Sequence, residues 1–427
     1  MQSYLRQKIG DAPLALLSGL AAYGSAEIAV RLVRLVTVVV IARQLAPDIV
    51  GVAALTLTAF ELMRVLANIG VGQKIIAADA DRLAATCNTA HHIFWVWCSV
   101  IAALQLAAAL VMATLFAQPL AGAMLAVLSG VYLLMPGGLV QCYLLMREGR
   151  AGTTARTTAT QTITDHLLTA GLLVAWQSPW SVVLPKLLTA PIWLLLTRRA
   201  RPWRPDPAAG RVPVRELIGF GLSVLATELL TATRNQLDKI IISATLGVTA
   251  LGTWFFAFNA GIGIVSSLIT AFGTVMFPGL CSVPTGRARS QRLRTAILLG
   301  SLIFLPVIAA QSLLAPYYVP IIFGAHWAHA APLISILCLA GVPMLIATIT
   351  TAWLRAEGRA NIDAMAGIVI TASALGALAL GVANGHLEQG AAFWVAGLAA
   401  SILPFAFVIL RPALLAGRPV RSQEAFA

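Results

Sequence analysis

The chain has 427 residues, of which 59% are hydrophobic and only 11% are charged. Soluble domains carry about 25% charged residues, so this composition excludes an ordinary soluble protein and indicates an integral membrane protein. The net charge of +13 would also suit a nucleic-acid-binding protein. No polar stretch is long enough for the soluble domain that such a protein needs, so we expect no nucleic acid as a partner.

Apolar segments of about 20 residues, the length of a transmembrane helix, recur along the whole chain. The first is too long and too charged for a cleavable signal peptide, and we expect it to remain in the membrane. The pattern predicts an all-α polytopic membrane protein of about 12 transmembrane helices, at 14–43, 49–71, 89–116, 119–146, 157–175, 180–197, 216–244, 249–278, 296–322, 331–354, 362–384 and 390–410.

The loops between these helices are strongly asymmetric in charge. Of the 29 Lys and Arg residues, 22 fall on the side of the N terminus and only Arg43 falls on the other side. Positively charged loops stay in the cytoplasm, so both termini are predicted to be cytoplasmic. The loops on the far side are short and carry Trp176, Trp180 and Trp327, which is typical of an aromatic belt at the membrane interface.

Histidines and cysteines give no metal-site pattern. His91 and His92 begin the third predicted helix, and we interpret them as interfacial anchors. The five cysteines are scattered in or beside membrane segments, so they are interpreted as small core residues. We therefore expect no metal site and no bound cofactor. The cysteines are Cys87, Cys98, Cys142, Cys281 and Cys338.

The longest basic loop, RRARPWRPDPAAGRVPVR at 198–215, follows the sixth helix and predicts a cytoplasmic linker. It divides the chain into a six-helix lobe at 1–197 and a second one at 216–427. The tetrapeptide EGRA at 148–151 recurs at 357–360, in the equivalent loop of each half. Six is an even number, so the two halves insert in the same orientation, and we expect a parallel repeat with a site between the lobes.

Three segments resemble one transporter family. IARQLAPDIVGVAALTLTAFELMRVLANIGVGQKII is similar to the first hairpin of Wzx-type oligosaccharide flippases, and LDKIIISATLGVTALGTWFFAFN to their seventh-to-eighth helix hairpin. VMFPGLCS is similar to the end of their eighth helix. These flippases belong to the multidrug/oligosaccharidyl-lipid/polysaccharide exporter superfamily, and the number of twelve helices argues against the lipid II flippase branch.

The resemblance implies a transporter and not an enzyme. Its cargo would be a lipid-linked oligosaccharide of the undecaprenyl pyrophosphate type, moved from the cytoplasmic to the periplasmic leaflet of a bacterial inner membrane by alternating access. Besides membrane lipids, the partners that it implies are a polysaccharide polymerase and glycosyltransferases.

The segment TATRNQLDKII at 231–241 places charged residues inside an apolar helix, and other predicted helices do the same. A charged side chain at mid-bilayer costs about 2.5–3.5 kcal/mol, so these groups are expected to face a hydrated cavity or one another. The candidate substrate-binding residues are Arg31, Arg34, Arg64, Lys186, Arg234, Asn235 and Lys239. The candidate residues for coupling to H⁺ or Na⁺ are Glu27, Asp165, Glu228 and Asp238.

Structural ion pairing is the alternative interpretation of these charges. Three pairs stand one helical turn apart: Glu27 with Arg31, Arg234 with Asp238, and Glu61 with Arg64. Arg34, Lys186 and Lys239 have no acidic residue one turn away on their own helix. This excess of cations favours an anionic headgroup, because Arg binds phosphate oxygens as a fork and Lys binds them as a point charge.

Two other functions remain open at the level of the sequence. A cation-coupled multidrug exporter of the same superfamily should have an acidic or aromatic site, which fits the excess of cations poorly. A membrane-embedded polysaccharide polymerase or glycosyltransferase should present catalytic residues on a sizeable extramembrane loop, and the predicted loops on the far side are short.

Overall fold

The computed structural model describes residues 30–416, except residues 68, 282, 284 and 285. Every regular element in this part of the chain is helical, which confirms the predicted all-α class. The chain forms two compact units, Met1–Gln236 and Leu237–Ala427. Their boundary falls inside a long helix that begins at Val214, and the predicted division at the linker 198–215 stays a prediction.

The first unit contains nine helices in its described residues, and it continues into the first part of a tenth helix. A short 3₁₀ turn at Pro207–Ala209 precedes that tenth helix. The helices are α1 (30–44), α2 (Pro47–Val65), α3 (Val71–Ala77), α4 (Leu83–Thr114), α5 (Pro119–Leu128), α6 (Gly130–Leu134), α7 (Pro136–Arg147), α8 (Ala151–Ala175), α9 (Trp180–Ala200) and α10 (Val214–Ala260).

The second unit begins within α10 and contains six further helices in its described residues. A 3₁₀ segment at Ala325–Ala330 separates the second and third of these. The helices are α11 (Ile262–Cys281), α12 (Arg287–Phe323), α13 (Ala331–Leu339), α14 (Gly341–Ala356), α15 (Ala360–Val382) and α16 (Leu387–Ala416).

Glycine and proline set the breaks between helices. Gly247 interrupts α10 with φ 83° and ψ −179°, which lies between the predicted helices 216–244 and 249–278. Gly70 has φ 68° and separates α2 from α3, so the helix predicted at 49–71 ends at Val65 and a further short helix begins at Val71. Pro136 begins α7 after a bend of 53° from the segment before it, because proline removes a backbone donor and clashes with the preceding turn.

Large side chains pack the interior of the first unit around α5 and α6. Met124, Leu125 and Tyr132 are fully buried, and the ring of Tyr132 lies 6.0 Å from that of Phe60 on α2. The α3–α7 contact depends on Gly72, since a Cβ atom there would lie 2.0 Å from the ring of Tyr143. These contacts thus pack α2 against α5 and α6, and α3 against α7.

Seven helices in the described residues are long and apolar enough to cross a membrane, and the bent pair α5–α7 makes eight. This confirms a multi-pass membrane protein, whereas the number of twelve remains a prediction. The helix α8 is not among the seven. Its sequence, AGTTARTTATQTITDHLLTAGLLVA, is rich in threonine and carries Arg156, Asp165 and His166.

The two EGRA segments fold into the same turn. Glu148 and Glu357 end their helices with nearly equal dihedral angles (φ −72° and ψ 4°, φ −85° and ψ 2°). The glycines that follow have φ 70° at Gly149 and 73° at Gly358. In each turn the backbone amide of the arginine donates to the carbonyl five residues earlier. Arg150 donates to Leu145 at 2.9 Å, and Arg359 donates to Leu354 at 2.8 Å. The sequence repeat is therefore also a repeat of local structure.

Candidate functional site

Threonines make α8 polar without leaving many unsatisfied hydroxyls. The hydroxyls of Thr157, Thr162, Thr164 and Thr169 each donate to the carbonyl four residues earlier, at 2.8–3.0 Å. A helix can carry many such residues in a membrane because each hydroxyl finds its acceptor in its own backbone. The carboxylate of Asp165 cannot donate to the backbone of its own helix in this way, so it requires a partner from another helix.

Asp165 meets that requirement through Lys186 on α9. The lysine Nζ lies 2.5 Å from Oδ2 of Asp165. The Asp165 side chain is only 6% exposed, and that of Lys186 is 32% exposed. The other oxygen, Oδ1, is buried and has no hydrogen-bond partner among the described residues. This carboxylate is thus neutralised by one cation but only half satisfied as an acceptor, which is costly in a low-dielectric interior.

The helix α1 packs against α8 beside this ion pair. The hydroxyl of Thr37, which is 3% exposed, lies 3.3 Å from the carbonyl oxygen of His166. Arg34 precedes Thr37 by one helical turn on α1, and Lys186 pairs with Asp165, the residue before His166. Arg34, Asp165, His166 and Lys186 lie on α8 or on the helices that contact it within the first unit, and they are called the α8 cluster below.

Proline shapes the helix that supplies Lys186. Pro185 and Pro191 both lie inside α9, and each removes one backbone donor from the helix ladder. The hydroxyl of Thr189 donates to the carbonyl of Pro185 at 2.8 Å, which stabilises the turn that follows. Lys186 is thus carried by a weakened turn, where small changes of helix geometry cost less than in a regular helix.

A second buried carboxylate lies in the other unit, and its environment differs. Oδ2 of Asp238 accepts a 2.9 Å hydrogen bond from the indole Nε1 of Trp254, and Oδ1 lies 3.5 Å from Nζ of Lys239. Asp238 is 7% exposed and Trp254 is fully buried. Because both oxygens have partners, this carboxylate holds the two arms of α10 together across the break at Gly247.

Some of the remaining predicted site residues lie in the described part of the chain and others outside it. Arg64 forms the expected pair with Glu61, at 2.7 Å, and its side chain is 56% exposed. Arg31 is half-buried and Asn235 is exposed. Outside the described part of the chain lie Glu27 and the side chains of Glu228 and Arg234. The structure therefore does not test the predicted pairs Glu27–Arg31 and Arg234–Asp238.

Two participants were missed by the sequence reasoning. Trp254 is the donor to Asp238, and it stands 16 residues away on the other arm of α10. His166 could have been found only because it is adjacent to Asp165. No group of three or more His, Cys, Asp or Glu side chains that could hold a metal ion occurs in the described residues.

The sequence of the chain matches a known protein family and several named proteins. The model of the "Polysaccharide biosynthesis protein" family matches residues 40–332. The succinoglycan biosynthesis transport protein ExoT of Rhizobium meliloti (strain 1021) is 22% identical over 385 residues, which cover 88% of this chain and 76% of that protein. The lipopolysaccharide biosynthesis protein WzxC of Escherichia coli (strain K12) is 21% identical over 50% of this chain and 43% of its own length.

Solved structures share the fold at low sequence identity. The lipid II flippase MurJ, in an inward closed conformation, has a TM-score of 0.71 at 11% identity and covers 92% of this chain and 90% of its own. A multidrug resistance MATE family transporter of the MOP superfamily, in an inward-facing conformation, has a TM-score of 0.68 at 15% identity, over 95% and 99% of the two chains.

Proposed function

This chain belongs to the polysaccharide biosynthesis protein family, and we propose that it is a flippase for a lipid-linked oligosaccharide. It is a membrane transporter and not an enzyme, as its relatives and its fold indicate. In this proposal the cargo hangs from a polyisoprenyl pyrophosphate carrier and passes from the cytoplasmic to the periplasmic leaflet of a bacterial inner membrane. Both termini of the transporter lie in the cytoplasm.

The observation that carries the proposal is the α8 cluster. Lys186 pairs with the buried carboxylate of Asp165 on a threonine-rich helix, and Arg34 lies on α1, the helix that contacts α8 through Thr37. Arg and Lys are the side chains that bind phosphate oxygens best. Hydroxyl-bearing helices suit the polar sugar, since a threonine that already donates to its own backbone still has lone pairs for a sugar hydroxyl.

The half-satisfied Asp165 suggests how binding and release are linked. A pyrophosphate that reaches the cluster competes with Asp165 for Lys186, and a buried carboxylate that has lost its cation is neutralised by taking up a proton. Release of the cargo restores the pair and returns the proton. We propose this exchange as the step that couples the cycle to H⁺, with Na⁺ as the alternative ion, while alternating access exposes the cluster to each side in turn.

The fold alone does not separate this function from drug export, because MATE transporters share it. The ion pair of the cluster favours the flippase, because its single carboxylate, Asp165, is already paired with Lys186. A cationic drug would have to displace Lys186 from Asp165, whereas a pyrophosphate can bind Lys186 directly. Glycosyltransferases that supply the lipid-linked oligosaccharide and a polymerase that consumes it are the partners that we propose.

The decisive experiment removes the gene from its host and measures the lipid-linked oligosaccharide directly by mass spectrometry of extracted lipids. We expect the lipid-linked oligosaccharide to accumulate and the surface polysaccharide to disappear, and both to return when the gene is supplied on a plasmid. Unchanged lipid and polysaccharide levels in the deletion strain would contradict the proposal. Increased sensitivity to cationic drugs, with normal polysaccharide, would instead indicate drug export.

A further inference from the structure

A second site lies at the beginning of α4, where the basic linker folds back onto that helix. The amide of Asn88 donates to the carbonyls of Asp206 and Gly210, at 2.6 and 2.9 Å, and its Oδ1 accepts from the amide of Asp206 at 3.1 Å. The hydroxyl of Thr89 donates to the carbonyl of Val212 at 2.9 Å. Four hydrogen bonds therefore fix the linker backbone against α4.

The clamped linker and α4 enclose a cavity of about 470 Å³, called the linker pocket below. Its walls on the helix side are His91, His92 and Trp95, and those on the linker side include Pro205, Pro207 and Arg211. The ring of His91 packs near two indoles, 5.4 Å from that of Trp203 and 6.3 Å from that of Trp95. The pocket thus combines a rigid aromatic and proline wall with the exposed side chains of His92 and Arg211.

The length of α4 places this pocket at the membrane surface. Its 32 residues span about 48 Å at 1.5 Å per residue, whereas the hydrocarbon core is about 30 Å thick and takes about 20 residues. Counting back from Thr114, those residues end at Trp95. The segment that begins at Leu83 and bears Asn88, His91 and His92 then projects beyond the hydrocarbon core, and Trp95 lies at its edge, where tryptophan is favoured.

The outer face of α4 continues from the pocket as an apolar stripe. Val96, Val100 and Leu104 follow His92 at intervals of four residues and are 52%, 41% and 48% exposed. Residues four apart lie on one helix face, so a cationic pocket at the surface leads directly into an apolar track along the membrane. A phosphate group with an attached hydrocarbon chain has this combination of properties.

We propose that the linker pocket binds a phosphate ester, supplied by the headgroup of an anionic membrane lipid. Arg211 and His92 bind the phosphate oxygens, the aromatic and proline wall packs against the glycerol, and one acyl chain follows the stripe of Val96, Val100 and Leu104. A bound lipid stabilises the linker in its clamped position and thereby links lipid composition to the start of α10. This site is separate from the α8 cluster and does not depend on what is transported.

The test is native mass spectrometry of the full-length protein in detergent, titrated with phosphatidylglycerol or with phosphatidylcholine. We expect phosphatidylglycerol to bind more tightly, and the double variant His92→Gln/Arg211→Gln to lose that preference by about tenfold or more, as for loss of charge-assisted hydrogen bonds. Arg211→Lys should retain most of it. Arg204→Gln removes an exposed arginine of the same linker that does not line the pocket, and it should bind as the unaltered protein does.

The source of the phosphate is distinguished by adding glycerol 3-phosphate. If it displaces phosphatidylglycerol at equal concentration, the pocket is a site for a free phosphate ester and the lipid assignment is wrong. If the double variant binds phosphatidylglycerol as tightly as the unaltered protein, the proposal is overturned. Circular dichroism of each variant shows that the helices are intact, so a loss of binding is not a loss of folding.

Discussion

In the second unit, the indole nitrogen of Trp254 donates a 2.9 Å hydrogen bond to the buried carboxylate of Asp238. The two residues stand on opposite sides of the break at Gly247, so this bond closes the hairpin that the glycine permits. Trp394 packs edge-on against Trp254, with ring centroids 6.0 Å apart. A single charged hydrogen bond thus fixes the junction between two membrane helices.

We expect Trp254→Phe to destabilise the protein by about 1–3 kcal/mol, because it leaves Oδ2 of Asp238 buried without its donor. The measurement is thermal unfolding in detergent, followed by intrinsic fluorescence or by loss of monodispersity. Trp394→Phe is the matched control, since it makes the same change of ring in the same aromatic cluster but does not touch Asp238. Equal losses in both variants would mean that ring volume, and not the hydrogen bond, determines the stability.

The repeated EGRA turns give a second prediction. Gly149 and Gly358 adopt φ of 70° and 73°, and a Cβ at either position would meet no atom within 4 Å. The penalty of Gly149→Ala or Gly358→Ala is therefore one of backbone strain, about 1–2 kcal/mol. Gly149→Asn should cost less, because asparagine tolerates the left-handed conformation.

Gly152 provides the control for this prediction. It lies three residues further on, in the first turn of α8, and a Cβ there also meets no atom within 4 Å. Its conformation is helical, so Gly152→Ala should be neutral or stabilising by up to about 1 kcal/mol. Thermal unfolding of the variants measures the difference. If Gly149→Ala and Gly152→Ala shift the unfolding temperature in the same direction, the left-handed turn is not the cause.

How far the sequence predicts this structure depends on the range of the interaction. The break at Gly247 falls between the predicted helix ends at 244 and 249, because a glycine between two apolar segments is a local signal. The Glu61–Arg64 pair could also be predicted from the sequence, because the two residues are one helical turn apart. By contrast, Asp165 and Lys186 were identified singly but not as partners, because their pairing depends on how α8 packs against α9.

The same reason explains the treatment of Asp238. Its spacing from Arg234 suggested a pair on one helix, and the partner that the structure shows, Trp254, comes from beyond a turn. Periodicity places residues on a helix face, but it does not determine which face of another helix is opposite. In an apolar segment, a tryptophan is usually assigned to the hydrophobic core, so the sequence does not indicate that its indole N–H donates a hydrogen bond.

A third prediction concerns pH. The guanidinium of Arg201 donates to Oε1 of Glu148 at 2.6 Å and lowers the pKa of that carboxyl below its ordinary value of 4.5, with a further contribution from Arg150. A lowered pKa in the folded state gives stability that is present above the ordinary value and is lost as the pH falls through the folded-state pKa.

We therefore expect Glu148→Gln to lower the unfolding temperature at pH 7, and this effect to disappear as the pH falls through the folded-state pKa of Glu148, which lies below 4.5. The pair is exposed, so the difference at pH 7 should be about 1 kcal/mol or less. Glu388→Gln, at an exposed residue in the first turn of α16, removes the same charge and controls for it. A pH-independent effect of Glu148→Gln would show that the ion pair does not contribute.

The predicted topology is tested by labelling single cysteines with a membrane-impermeant maleimide, in a variant that lacks the five native cysteines. Each position chosen is exposed in the structure. Intact spheroplasts should label the first set only, and permeabilised ones both sets. The periplasmic set is Gln177→Cys, His326→Cys and Asn384→Cys, and the cytoplasmic set is Ala80→Cys, Ala208→Cys and Gln291→Cys. Mixed labelling within a set would contradict the twelve-helix arrangement.

The last prediction tests the α8 cluster. Removing one partner of a buried ion pair leaves an uncompensated charge and costs about 3–5 kcal/mol, whereas removing both relieves it. Asp165→Asn and Lys186→Gln should each lower the amount of folded protein, and the double variant should restore it. We expect export of the lipid-linked oligosaccharide to remain absent in the double variant, because Lys186 and Asp165 both act in transport.

Surface polysaccharide and the extracted lipid-linked oligosaccharide are the measurements. The exposed pair Arg82–Glu216 in the same unit, at 3.1 Å, is the control, and Arg82→Gln/Glu216→Gln should export normally. Normal export by Asp165→Asn/Lys186→Gln would mean that the pair only holds α8 against α9.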